Sequence, residues 1–215
     1  MAEWLNVTFH SFDGAIFSAF NGLATSAGGF FTPFFKFVSF FGEGGIFFLA
    51  LSVVLLLFKR TRKTGLSILF AVGIGALFTN VIIKNAVARP RPYTVEEYRA
   101  FWETAGASTV SEFSFPSGHT TVTTTSVTAI FLTVNKKFSW AGFLFALLMG
   151  ISRIYLVVHY ATDVLAGFVV GGISGTIAYF IVKYLYGLFE RKSQVKFCNF
   201  VLNADVINAI KNRKK

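Results

Sequence analysis

Three short stretches of the chain combine residue types that can bind and attack an anion. The first is KNAVARPRPY, in which Lys84 ends an apolar run and Arg89 and Arg91 follow close behind. Pro90 and Pro92 stop a helix here, because the residue before a proline is driven to extended geometry. Arg91 then swings off the helix axis while Lys84 stays on it, so two cations can converge on one anion. Arginine offers a planar fork that matches phosphate oxygens, and lysine a point charge. The bland reading is a set of interfacial cations that snorkel to the headgroups.

The second stretch is FPSGHT. Ser117 suits a helix N-cap, and Gly118 lets a ligand approach the backbone. Free N–H groups and the positive end of the helix dipole make an anion site, with His119 beside it. The alternative is an ordinary capped helix with an interfacial histidine. The third stretch is SRIYLVVHYATD. His159 and Asp163 are four residues apart and share a face if they are helical. An acid beside a histidine fixes its tautomer and stabilises the imidazolium. The alternative is a structural hydrogen-bonded pair. Ser152 and Arg153 lie too far upstream for that face, so the link between two apolar runs has to bring Arg153 round. Of three histidines, only His10 falls outside these stretches, and it reads as an ordinary N-terminal residue.

The surrounding chain has to position these groups. Of 215 residues, 54% are hydrophobic and 14% charged, with 28 phenylalanines. A soluble domain is about 25% charged, so the composition indicates an integral membrane protein, and the length indicates one domain. Five apolar stretches stand out: 44–58, 64–83, 117–134, 139–158 and 164–182. The first is shorter than the ~20 residues of a membrane span but extends back through phenylalanines. The expected architecture is all-α, a membrane-embedded helical bundle over residues 44–190 with five spans. Ionisable groups in such a bundle are candidate functional residues.

The connections set an expected orientation. Lys59, Arg60, Arg62 and Lys63 separate the first two spans, and the NKK turn (Asn135 to Lys137) separates the third and fourth. The tail, 191–215, carries Arg191, Lys192, Lys196, Lys211, Arg213, Lys214 and Lys215, and Gln194 to Lys215 reads as a short basic helix. The positive-inside rule places all three in the cytoplasm. The acidic loop after Pro92, with Glu96, Glu97, Glu103 and Glu112, then faces outward together with every candidate residue. Residues 1–43 read as an amphipathic helix in the outer interface in preference to a sixth span. Small residues Gly14, Ser18, Gly22 and Gly29 line one face and Ile16, Phe17, Phe20 and Leu23 the other. Pro33 is expected to break this helix from the Phe-rich segment after it. The net charge of +10 sits at the ends of apolar runs, which fits membrane topology and argues against nucleic acid as a partner. One cysteine, Cys198, excludes an internal disulfide and a cysteine-based metal cluster. The start, MAEWLNV, lacks the basic region of a cleavable signal peptide.

Taken together, the three stretches resemble the type 2 phosphatidic acid phosphatase family, which also includes vanadium haloperoxidases. That family's pattern is Lys-x6-Arg-Pro, then Pro-Ser-Gly-His, then Ser-Arg-x5-His-x3-Asp. Here it reads Lys84 with Arg91-Pro92, Pro116-Ser117-Gly118-His119, and Ser152-Arg153 with His159 and Asp163. The resemblance covers roughly residues 40–190. It implies a lipid phosphatase in which His159 is the nucleophile and forms a phosphohistidine, Asp163 orients it, and His119 serves as general acid and then base. Lys84, Arg91 and Arg153 would neutralise the phosphoryl oxygens, and Ser117 with the Gly118 N–H would complete the cradle. No metal and no cofactor are expected, and the partners are a lipid phosphate or diphosphate and the bilayer. The compact layout leans toward undecaprenyl diphosphate as substrate. Phosphatidylglycerophosphate or phosphatidic acid hydrolysis, a lipid phosphotransferase, and a non-enzymatic headgroup binder or transporter are the alternatives.

Overall fold

The computed structural model describes residues 1–134 and 136–206. Asn135 of the NKK turn and the tail cations Lys211, Arg213, Lys214 and Lys215 lie outside the described residues. The helices are α1 (Ala2–Thr8), α2 (His10–Phe40), α3 (Ile46–Leu56) and α4 (Arg62–Ala76), which runs through a π-helical stretch, Leu77–Ile83, into α5 (Lys84–Val87). There follow α6 (Glu96–Ala105), α7 (Gly118–Thr133), α8 (Lys136–Ser139), α9 (Ala141–Tyr155), α10 (Ala161–Arg191) and α11 (Lys196–Asn203). No strand occurs among the described residues. All five apolar stretches are helical. Three helical runs are long and apolar enough to cross a membrane: His10–Leu56, Arg62–Thr94 and Ala161–Arg191.

The core is the contact of α7 with α10, and its cause is visible in the residue spacing. Gly167, Gly171 and Gly175 recur every fourth residue on α10 and meet Thr120, Thr124 and Thr128, also every fourth, on α7. A Cβ at Gly171 would stand 2.6 Å from Thr124 Cβ, and one at Gly175 2.6 Å from the Thr125 carbonyl oxygen. Matching rows with the same period interlock, and the missing side chains let the backbones approach. α4 closes the third side of α7. Gly75 packs on Thr121 and Thr125, and the Thr125 hydroxyl donates to the Ala71 carbonyl at 3.2 Å. Enclosure on several sides explains why α7 is rich in small, buried threonines. The opposite face of α10, with Leu165, Val169, Ile173 and Phe180, is exposed, as a lipid-facing surface would be.

Two features differ from the sequence expectation. First, α2 runs unbroken through Pro33 and bends at Ala27 instead, where φ is −140° and ψ 25°. The reason is local. The hydroxyls of Thr25 and Ser26 turn back to the carbonyls of Asn21 and Gly22, and a Gly28–Gly29 pair follows; such bonds and such pairs are recognised causes of helix bending. Second, the fourth apolar helix ends at Tyr155, short of Val158, because Val157 adopts a left-handed φ of 54°.

α2 also has an unusual course. Asp13 near its start and Ser39 near its end are separated by roughly 39 Å of helix at 1.5 Å per residue. Yet Asp13 bonds Thr162 at the start of α10, Ser39 bonds Arg153 at the end of α9, and Ala24 between them packs on Tyr155, Leu156 and Val158. All three contacts lie at one end of the bundle, so α2 is draped across that end. Its outer side carries the exposed Phe30, Phe34, Phe37 and Phe40. At the other end, Arg62 donates to the carbonyls of Leu56 (3.1 Å), Val201 (2.7 Å) and Ala204, tying α11 to the α3–α4 turn.

The α7–α10 seam yields a paired test. Gly171→Val is expected to lower stability by about 1–3 kcal/mol or more through overpacking, read as a fall in melting temperature in detergent. Gly172→Ala, where an added Cβ meets nothing within 4 Å, is expected to leave it unchanged or slightly raised.

Candidate active site

The helix ends at the α2-covered end of the bundle surround a cavity of about 460 Å³. Its lining includes Lys84, Arg91, Gly118, His119, Arg153 and His159, brought from five separate segments. The links that deliver them are short and strained. α5 ends at Ala88, with φ 52°, between Lys84 and Arg91, and Val157 lies between Arg153 and His159. These are the two non-glycine residues with positive φ among those described; for a β-branched residue such as Val157 that region is markedly unfavourable. The turn at Val157 lets the His159 N–H donate to the Arg153 carbonyl at 3.3 Å, and so brings both side chains to one cavity. The π-helical stretch precedes Lys84 directly and adds Thr79 and Asn80 to the cavity wall.

His159 is buried, and its Nε2 lies 3.0 Å from Arg91 Nη1. A guanidinium only donates, so Nε2 presents a lone pair and the ring proton belongs on Nδ1. Nδ1 faces Asp163 Oδ2 at 3.6 Å and Ser114 Oγ at 3.5 Å. Ser114 donates to the same carboxylate oxygen and bridges the pair. Burial, then the positive charges of Arg91, Arg153 and Lys84, hold the His159 imidazole well below its ordinary pKa.

The relation of His159 to Asp163 is not that of two residues on one helical face. α10 begins at Ala161 with Tyr160 as N-cap, so His159 precedes the helix. Asp163 sits in the first turn and reaches back to accept the Tyr160 N–H at 3.0 Å. That capping contact turns its carboxylate toward His159.

The cations differ in how fully they are occupied. Arg91 donates to the carbonyls of Glu112 (2.7 Å) and Val158 (2.9 Å). Arg153 bonds Ser39 through Nη1, while its buried Nε has no hydrogen-bond partner. Lys84 is paired with Glu112, which reaches in from the loop before α7; the ammonium holds the Glu112 carboxyl below the usual carboxylate range. A Cβ on Gly118 would lie 3.8 Å from Lys84 Nζ, so the bare glycine backbone adjoins that cation. Ser117 departs from its expected place. It is fully buried, its hydroxyl accepts from the Thr120 N–H (3.4 Å) and hydroxyl (3.0 Å), and it is not among the cavity-lining residues. As the cap of α7 its oxygen serves as an acceptor, and the side chain lies outside the cavity lining.

Several contributors carry no motif. Gly42 lies against His119: a Cβ there would stand 2.8 Å from His119 Cδ2 and 2.9 Å from Met149 Sδ. Glu43, Gly44 and Gly45 continue that wall. The run of glycines in FGEGG was the one available signal. Behind Asp163 lies Arg89, whose guanidinium donates to Asp163 Oδ1 at 2.6 Å and to Asp13 Oδ2 at 2.9 Å. Nothing in the spacing of the chain pointed to Asp13.

Helix ends gather two histidines and three cations around a cavity at one end of a bundle of apolar helices, the layout of a membrane protein with a cationic pocket. Comparison with known proteins gives the family. The family model described as PAP2 superfamily matches residues 64–186, and the chain belongs to that superfamily. It is 32% identical over 121 residues to an undecaprenyl-diphosphatase of Sulfolobus acidocaldarius, covering 56% of each chain. It is 34% identical over 151 residues to phosphatidylglycerophosphatase B of Bacillus subtilis, covering 64% of this chain and 66% of that one. The matched regions thus span between about half and two thirds of these relatives' lengths. The crystal structure of a transmembrane PAP2-type phosphatidylglycerolphosphate phosphatase from Bacillus subtilis aligns with a TM-score of 0.55 at 25% identity, over 85% of this chain and 96% of that one. Membership and the apolar helices together make this a multi-pass membrane protein.

Gly42→Ala is expected to push the His119 ring aside. A displacement near 1 Å costs an enzyme about a hundredfold in rate, so turnover at this cavity should fall by about that factor. The melting temperature should change little, because Met149 is flexible and can yield.

Proposed function

We propose that the chain is a lipid phosphatase that cleaves a lipid phosphate or diphosphate through a phosphohistidine on His159, with undecaprenyl diphosphate as the favoured substrate. One observation carries the reading: a buried imidazole whose Nε2 lone pair adjoins Arg91 in a cationic cavity, with its other nitrogen turned to Asp163. The Sulfolobus and Bacillus relatives, named as phosphatases of an isoprenoid diphosphate and of a phospholipid, support the same class.

Lys84, Arg91, the free Nε of Arg153 and the Gly118 N–H take the phosphoryl oxygens; Ser117 supports them as the cap of α7. His159 Nε2 attacks phosphorus. The N–P bond forms as the bond to the leaving oxygen breaks, and that oxygen takes a proton from His119. The imidazole becomes cationic, with Nδ1–H facing Asp163. A water then gives its proton to His119 and attacks phosphorus, the N–P bond breaks, and inorganic phosphate leaves. Phosphoryl transfer of this kind depends mainly on positioning and charge stabilisation.

The headgroup occupies the cavity while the chain stays in lipid. The cavity faces outward on this reading, because Lys59, Arg60, Arg62 and Lys63 lie at the opposite end of the α4–α5 run and positive charge favours the cytoplasmic side.

The test is phosphate release in detergent, with EDTA present, over a panel of prenyl and acyl mono- and diphosphates. Undecaprenyl diphosphate should be turned over fastest and His159→Ala should abolish release from every member. Full activity in His159→Ala would sink the proposal; product formed only with an added acceptor would make the chain a transferase. The pH profile gives a separate check. The attacking imidazole has to be neutral, and its pKa is depressed, so the acid limb of kcat/KM that it sets should lie below pH 6.5.

A further inference from the structure

Asp13 and Asp163 share one guanidinium. Arg89 is 1% exposed and both carboxylates are buried to the same degree or more. Its Nη2 donates to Asp13, its Nη1 to Asp163 Oδ1 and to the Thr162 hydroxyl at 2.7 Å, and its Nε to Asn6 Oδ1 at 2.8 Å. The Tyr160 ring covers the guanidinium carbon at 3.7 Å from its centroid. Asp13 also accepts the Thr162 N–H (3.0 Å) and hydroxyl (2.8 Å), which satisfies a free donor in the first turn of α10. Two carboxylates and one guanidinium leave the buried cluster with one net negative charge. A pocket of about 120 Å³, lined also by His10, Glu97 and Tyr98, adjoins the cluster on the Asp13 side, away from His159.

The excess matters for the reaction above, on which this inference rests. If Arg89 were paired with Asp163 alone, the charge of Asp163 would be cancelled where His159 needs it. Drawn also to Asp13, the guanidinium is shared, and Asp163 keeps charge on the side that faces Nδ1. We propose that Asp13, from the helix draped over the cavity, is a positioning residue: through Arg89 it keeps Asp163 electronegative, so that the cation formed at His159 is stabilised as the N–P bond forms. Asp13 does not line the cavity and touches neither substrate nor the reacting atoms.

The other charges around His159 all oppose that cation or stand apart from it. Lys84, Arg91 and Arg153 face it from α5, the link after α5, and α9; His119 faces it from α7; Ser114 is a neutral bridge from the loop before α7. Asp163 is the one carboxylate beside the ring, and its charge depends on what else Arg89 holds.

Asp13→Asn separates charge from packing, because the amide oxygen can still accept from Thr162. The expected result is a fall in kcat of about tenfold or more with KM unchanged, since a change of one pKa unit corresponds to a factor of ten. The acid limb of kcat/KM should move to lower pH, because removing a negative charge makes the imidazolium harder to form. Acid-quenched phosphoenzyme should decrease in step, and Asp13→Glu should recover part of kcat. Asn6→Ala, which removes a neutral partner of Arg89, should keep the wild-type pH profile. A wild-type pH limb and kcat in a folded Asp13→Asn would overturn the inference while leaving the phosphatase reading intact. If Asp13→Asn does not fold, Asp13→Ser, which also removes the charge, carries the pH measurement, and a wild-type acid limb in that folded variant would overturn the inference. Activity that survives His159→Ala would instead remove the phosphatase reading itself.

Discussion

The buried guanidinium of Arg89 is the contact on which the rest of the site depends. Its side chain binds Asn6 of α1, Asp13 of α2, and Thr162 and Asp163 of α10. Its carbonyl accepts the Ser114 N–H at 2.8 Å, and so fixes the loop that leads into α7. A charge this deeply buried is tolerable only when its donors are satisfied. Removing one partner of such a pair costs about 3–5 kcal/mol, mostly because the other charge is stranded. The arrangement therefore contributes more to uniqueness of structure than to net stability: one placement of five segments satisfies it, and that placement turns Asp163 toward His159.

The second constraint is backbone. Ser117 N–H donates to the Asp163 carbonyl at 3.0 Å, and Arg91 spans from the Glu112 carbonyl to that of Val158. A main-chain bond thus joins the second and third motifs, and the Arg91 side chain ties the first motif to carbonyls of the third and of the loop before α7. These bonds between protein groups fix the cavity wall, and fixed groups of this kind are what the phosphoryl transfer proposed above would require. The strained links at Ala88 and Val157 are held in place by this same network.

How far the site was legible in the sequence follows from where its information lies. Lys84, Arg91, Gly118, His119, Arg153 and His159 are local signals: a cation beside prolines, a glycine at a helix start, a histidine before an acid. The five apolar stretches are equally local, and each is a helix. What spacing does not express is a partner brought from far along the chain. Asp13 reaches Thr162 across most of the sequence, and no periodicity relates them. Local rules also compete. Pro33 carried the obvious break signal, yet the hydroxyls and glycines around Ala27 bend the helix first. Ser117 satisfied both the rule for a cap and the rule for an anion ligand, and in the folded chain it is the buried cap of α7, outside the cavity lining. His159 and Asp163 do meet, but through a helix cap and not through a helical face.

The α7–α10 seam bears on direction as well as on packing. Where glycine and threonine rows approach until one added carbon would collide, no phosphate can pass between the helices. Beneath the cavity the bundle is therefore closed between α7 and α10. On the function proposed above, that seam offers released phosphate no path toward the opposite face.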